Sequence, residues 1–222
     1  MNSIVRKNAP PVLSDASSQS LVQDCFGALS VDMQIVRWLR EGRLYFYNRG
    51  NTTTPVTFTN SAILYTRPSQ VIRVPSGTTI IPVFLGVYVE TATGVINEGV
   101  WIACNNDVGA GTSTAVAAGT NRGNMRSDKA SNAGACLINI TYSGDVTTTG
   151  TNPVEFARYM QPFVDAAGVN NQTFIVDIKT HSSMPLLVGP ASLIFILGGG
   201  TAAPSGFMTT IWAEFATADL GL

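Results

Sequence analysis

From residue 43 onward apolar side chains recur at every second position or in short unbroken runs, separated by loops of Gly, Asn, Thr and Pro. A period of two sends successive side chains to opposite faces of an extended strand, so a chain written this way folds by stacking strands. Nine segments carry the pattern: 43–48, 55–65, 70–74, 78–91, 95–104, 135–143, 173–180, 192–197 and 208–216. Pro75-Ser76-Gly77 predicts a tight hairpin between the third and the fourth. Pro82, inside the fourth, predicts an edge or a bulge, because proline has no N–H for a ladder. The strands do not alternate with helical segments, which argues against a doubly wound sheet. No long-period repeat is visible, so a propeller or solenoid is unsupported. The expected fold is therefore all-β, an antiparallel β-sandwich of jelly-roll type; an immunoglobulin sandwich would want a Cys…Trp…Cys spacing that is missing here.

Two helices are expected beside the strands. Over 31–41, Val31, Ile35, Trp38 and Leu39 share one face, Ser30 can cap the start, and Gly42 stops the run. A brief helix over 154–160 follows from Asn152 as cap, Pro153 at the first helical position and Glu155 at the positive end of the dipole. Residues 1–30 read as a partly irregular N-terminal arm, and 31–222 as a single jelly-roll domain opened by the 31–41 helix. The Gly-, Ser- and Thr-rich stretches 105–132 and 144–153 are long for loops without structure of their own, a length that marks functional or mobile segments. In an assembling protein they would order under a neighbour.

Charge is scarce. Only 12% of the 222 residues are Asp, Glu, Lys or Arg, about half the usual share, and 13 basic residues nearly balance 14 acidic ones. A chain so close to neutral lacks the self-repulsion that keeps copies apart. Ten of the basic residues are Arg and three are Lys. Arg is the cation enriched at protein interfaces, because its guanidinium is weakly hydrated and planar. The surface is thus expected to meet other copies of the chain, with Arg37, Trp38, Arg40, Arg43, Arg122 and Arg126 as candidate subunit contacts. Arg6 and Lys7 are the only basic residues before Arg37, too few for a counterion-releasing arm, so little or no direct nucleic-acid binding is expected. The cluster Arg37, Arg40, Arg43 and Arg49 reads as a solvated helix face paired with Asp32 and Glu41.

Catalytic chemistry finds no foothold. His181 is the single histidine, no GxSxG elbow exists, and Gly111-Thr-Ser113-Thr-Ala115 lies in a loop. One histidine also falls short of a barrel metal site. Asp107, Asp128 and Asp145 could converge as a carboxylate pair or a calcium site, but loop acids more often form Asx-turns. Gly198-Gly199-Gly200 lacks the Lys-Ser/Thr of a phosphate loop. Cys25, Cys104 and Cys136 read as buried free thiols. Asn51, Asn139 and Asn171 match the glycosylation pattern as chance products of a Thr- and Asn-rich chain. No secretory signal opens the chain, and the apolar run 186–197 is too short to span a bilayer. No enzyme activity, cofactor or metal is expected.

The hairpin VIRVPSGTTIIPVFLGVYVE (71–90), the long loop 105–132 and the closing strands SLIFIL and MTTIWAEFA together resemble a viral single jelly-roll capsid protein over roughly 42–218. The resemblance implies a sandwich of two four-stranded sheets and self-assembly into an icosahedral shell. It also implies residence in the virion after synthesis in the host cytoplasm, alongside other virion proteins. The strongly basic tail common in capsid proteins of small viruses is missing. That departure points to a bacterial or archaeal virus whose genome is condensed otherwise or enclosed by an internal membrane, or else to a minor vertex or spike component. The alternative function is a trimeric receptor-binding or lectin-like jelly-roll module of a virus fibre or spike, with loops 105–132 and 144–152 as its binding edge.

Overall fold

The computed structural model describes residues 34–51, 53–58, 62–91, 96–117, 119, 121–162, 172–179, 184–199 and 203–221. The expected arm, Ser30, Asp32, Cys25 and His181 lie outside the described residues. The chain divides into two compact units, Met1–Trp38 and Leu39–Leu222. Of the first, only residues 34–38 are described, the opening of helix α1 (Gln34–Glu41). Gly42 ends that helix as expected, turning to φ +72° and donating its N–H to the Leu39 carbonyl at 3.0 Å.

The second unit is an all-β sandwich of two antiparallel sheets. One sheet contains β1 (Leu44–Arg49), β2 (Val56–Thr57), β4 (Thr78–Thr91), β7 (Arg122–Asn124), β10 (Gln172–Asp177), β11 (Leu187–Val188) and β13 (Ser205–Ala216). Its order is β10-β4-β13-β1-β7, with β11 also on β4 and β2 on β13. The other contains β3 (Gln70–Val74), β5 (Ile96–Cys104), β6 (Thr114–Ala115), β8 (Leu137–Ile140), β9 (Val154–Pro162) and β12 (Ala191–Gly199), in the order β6-β8-β3-β12-β5-β9. Between the sheets lies one apolar core drawn from both: Tyr45, Leu85, Val87, Phe174 and Trp212 from the first, Ile72, Trp101, Ile138, Leu193 and Phe195 from the second. Strands β3 and β4 match the expected segments residue for residue, but the expected hairpin is corrected: the turn at 75–77 carries the chain from one sheet to the other, and the two strands do not pair. At Pro82 the β4–β13 register slips, so that Phe84 faces Ile211 and Pro82 faces Trp212, which is the expected bulge.

The second sheet is apolar on both faces, and the loops explain how. Val71, Val100, Ile102, Cys104, Ile194 and Ile196 point away from the core into a second buried cluster. Val108 and Val146, from the two long loops, and Tyr142, just after β8, close over them. The loops are fastened to each other: Thr148 N–H donates to Val108 O, Ser143 N–H to Thr112 O, and Asn106 bridges the Thr149 carbonyl and the Thr151 N–H. Gly150 permits the approach, since a Cβ there would stand 2.5 Å from Cys104 Sγ. The first part of loop 105–132 and the segment 143–151 are thus fastened to each other within one chain. The same roof explains why 193–197 is a continuous apolar run rather than an alternating one, since a strand buried on both faces has no polar side.

Three further expectations are corrected. Residues 154–160 form strand β9, not a helix. Their backbone pairs with β5, and a bulge opposite Trp101 and Ile102 inserts Phe156, breaking the alternation that would have betrayed a strand. Among the described residues of the segment 55–65, only Val56–Thr57 is strand. Arg49 is not on a solvated helix face but closes β1, 3% exposed.

Loop 105–113 is pinned by Arg73 of β3, whose Nε and Nη2 each donate to Asp107 at 2.6 Å. The Arg73 hydrogen bonds, followed by the Gly109 N–H, hold the Asp107 carboxyl below the usual carboxylate range. A depressed carboxylate contributes stability at pH values above its unfolded pKa of about 4, and that contribution is lost as pH falls through the folded value. Both side chains are partly solvated, so Asp107→Asn is expected to cost only about 0.5–1 kcal/mol at pH 7. Urea midpoints of the two proteins should converge as the pH is lowered below about 4.

Candidate assembly surface

The outer face of the first sheet is built from the odd partners of its core residues. In β1, Tyr45 and Tyr47 turn inward, so Phe46 and Asn48 turn outward; in β13, Met208, Thr210 and Trp212 turn inward, leaving Phe207, Thr209 and Ile211 outside. Register aligns these into rows. Phe46, Ile211, Phe84 and Asp177 form one, Asn48, Thr209, Gly86 and Ile175 the next, and Phe207, Tyr88 and Thr173 a third. Asp177, on the edge strand, is the sole charged residue of the block. Gly86 makes room at its centre: a Cβ there would stand 2.6 Å from the Phe84 ring. Tyr88 and Ile175 are 38% and 40% exposed, and Phe46, Phe84, Phe207 and Ile211 are half-buried. None of these six joins either buried cluster. The sandwich is therefore asymmetric, with one outer face roofed by loops and an apolar block left half-exposed on the other.

The residues singled out from sequence fall elsewhere. Arg40 and Arg126 meet: Arg126 donates from Nη1 to the Arg40 carbonyl at 2.7 Å and from Nη2 to Asp128 at 2.6 Å. Together with Leu39, Met125, Ser127 and Asp128 they line a shallow cleft of about 490 Å³. Arg43 donates to Glu41 at 2.9 Å and to Asp219 at 3.4 Å, and its guanidinium lies 5.1 Å above the Phe215 ring. Arg37 is exposed on α1, and Trp38 is buried. Arg122 is 6% exposed, and its Nη1 and Nη2 donate within the chain to the carbonyls of Val116, Ala133 and Cys136.

Two buried charges escaped the sequence reading. Glu214, on the inner side of β13, accepts the N–H groups of Ala135 at 2.8 Å and Cys136 at 3.3 Å, and the Trp212 indole N–H at 2.8 Å. Arg122 holds carbonyls of the same 133–136 segment, so carboxylate and guanidinium grip the entry to β8 by opposite backbone groups. Burial, then the Glu214 charge, drives the Cys136 thiol well above its ordinary range. Burial alone raises Cys104. Both described cysteines are buried free thiols. The second charge, Arg49, is 3% exposed at the end of β1.

The three loop acids do not converge. Asp107 is held by Arg73, Asp128 by Arg126 and Asp145 by Arg67 at 2.7 Å. Among the described residues no group of three or more His, Cys, Asp or Glu side chains is placed to hold a metal ion, and no helix is long and apolar enough to cross a membrane. Asn139 is 3% exposed, its amide donating to Ser113 Oγ. Comparison of the chain with family models, curated proteins and solved structures finds no match in any of the three.

Proposed function

We propose that this chain is a jelly-roll subunit, and that its role is structural: a virion protein that self-assembles into an icosahedral capsid shell. Support for the first step lies in the strand order. Taking the eight strands of five or more residues in sequence (β1, β3, β4, β5, β9, β10, β12, β13), the first pairs with the eighth, the second with the seventh, the third with the sixth and the fourth with the fifth. The eighth also pairs with the third, and the seventh with the fourth. Such pairing is what a long antiparallel ribbon folded in half and rolled into two sheets would give, which supports the jelly-roll reading.

The second step is carried by one observation: the half-exposed aromatic and aliphatic block on the outer face of the first sheet. Contiguous exposed apolar surface of this kind marks an interaction site. A second copy of the chain is its natural occupant, because a near-neutral subunit offers no long-range repulsion and the block holds one charge. Capsid interfaces are permanent, and permanent interfaces are large and apolar. Copies of the chain, with other virion proteins, are the partners on this reading.

Ile175→Asp tests it. The side chain is 40% exposed, so the folded subunit should keep its melting temperature within about 3 °C. Association, followed by sedimentation velocity, should weaken at least about tenfold, because each copy would bury an unpaired carboxylate. Unchanged association would move the interface off this face. Met125→Glu, in the cleft beside Arg40 and Arg126, tests the sequence-derived contacts in the same assay; if that cleft also meets a neighbour, association weakens by a similar factor.

A further inference from the structure

Arg49 is the one buried arginine among the described residues whose surroundings are wholly neutral. It is 3% exposed, and its partners are the Ser69 carbonyl (2.6 Å from Nη1), the Thr141 hydroxyl (3.1 Å from Nη2) and the Thr57 carbonyl (3.4 Å from Nη2). The Phe58 ring lies 5.0 Å beneath the guanidinium. Its Nε, buried as well, has no hydrogen-bond partner. Arg73, by contrast, has Asp107, and buried Arg122 feels the Glu214 carboxylate. Burial without a counter-charge pulls the Arg49 pKa down to about 10. A buried ion in this position is costly unless something compensates it.

A cavity of about 350 Å³ opens beside it. Besides Arg49, its lining includes Tyr47, Asn48, Asn51, Thr54, Asn121 and Thr141, which carry hydroxyl and amide groups, and no acid lines it among the described residues. Thr141 holds its hydroxyl on Arg49 from a left-handed backbone, φ +54°, a strained state for a β-branched residue. We infer that this cavity seats a small oxyanion, a carboxylate or phosphate group, whose negative charge completes Arg49 and whose oxygens take hydrogen bonds from the surrounding hydroxyls and amides. The volume lies in the range of small-ligand pockets, and a guanidinium on the cavity wall is suited to planar oxyanions. The inference stands whether or not the chain forms a shell.

The test uses the full chain at constant ionic strength, with chloride exchanged stepwise for phosphate in one arm and for acetate in another. Calorimetric titration and melting should report one saturable site per subunit. Saturation by phosphate only would assign a phosphate-bearing ligand, and saturation by acetate only a carboxylate; either supports the site. Thr54→Glu places a carboxylate on the cavity wall, and anion affinity should then fall at least about tenfold while the anion-free melting temperature rises. Arg49→Met should abolish the response. If Arg49→Met fails to fold, Thr54→Glu still decides. No saturable response above chloride, or an unchanged response in Thr54→Glu, would overturn the inference.

Discussion

Replacing Glu214 with leucine is expected to destabilise the subunit by about 3–5 kcal/mol, because three buried or part-buried donors lose their acceptor at once. The Ala135 and Cys136 amides and the Trp212 indole all converge on this carboxylate. Leucine fills much of the volume and satisfies none of them, so the effect is one of desolvation rather than of packing. Glu214→Gln keeps an acceptor oxygen and should cost about half as much or less. Urea denaturation at pH 7 reads both. The damage should fall first on the entry to β8, seen as faster hydrogen exchange over 135–140, because the remaining grip on that segment is Arg122.

Trp101→Ala is expected to cost about 3–5 kcal/mol, by a different route. The indole is fully buried in the core and its ring centroid is 4.4 Å from that of Phe195, on the neighbouring strand β12. Removing it opens a cavity at the centre of the second sheet, where the loop roof on the far side limits collapse. Its Nε1 has no hydrogen-bond partner, so the indole carries a buried polar group at a cost. Trp101→Phe removes that group while keeping a ring, and should cost only about 1–2 kcal/mol. Equal losses for the two variants would mean that the indole N–H does have a partner in solution.

The strands were legible in sequence wherever one face is wet or a turn signal bounds them. Pro75-Ser76-Gly77 marks the end of β3 and the start of β4, although the turn crosses between sheets instead of closing a hairpin, and β13 alternates cleanly from Gly206 to Trp212. The same parity puts Glu214 on the inner side with Met208, Thr210 and Trp212, and that was the signal by which it could have been found. Strand β9 was hidden for a physical reason: its bulge places Phe156 out of step, and Asn152-Pro153 imitates a helix start. The short strands β6 and β7 exist through long-range pairing with β8 and β1, which no local pattern encodes. Arg49 looked like one more member of a basic helix face, because its burial depends on Ser69, Thr57 and Thr141 arriving from elsewhere in the chain. The apolar outer block was equally hidden. With both faces of β4 and β13 apolar, period two gives the two faces without saying which one the core claims.

Assembly on this proposal requires that copies of this chain cover one another's apolar sheet face. Multi-angle light scattering of the purified chain across a hundredfold concentration range, with electron microscopy of the heaviest fraction, measures that directly. The expected result is a discrete oligomer that grows into closed particles and that Ile175→Asp returns to subunits. A mass that stays at one chain over the whole range would contradict it.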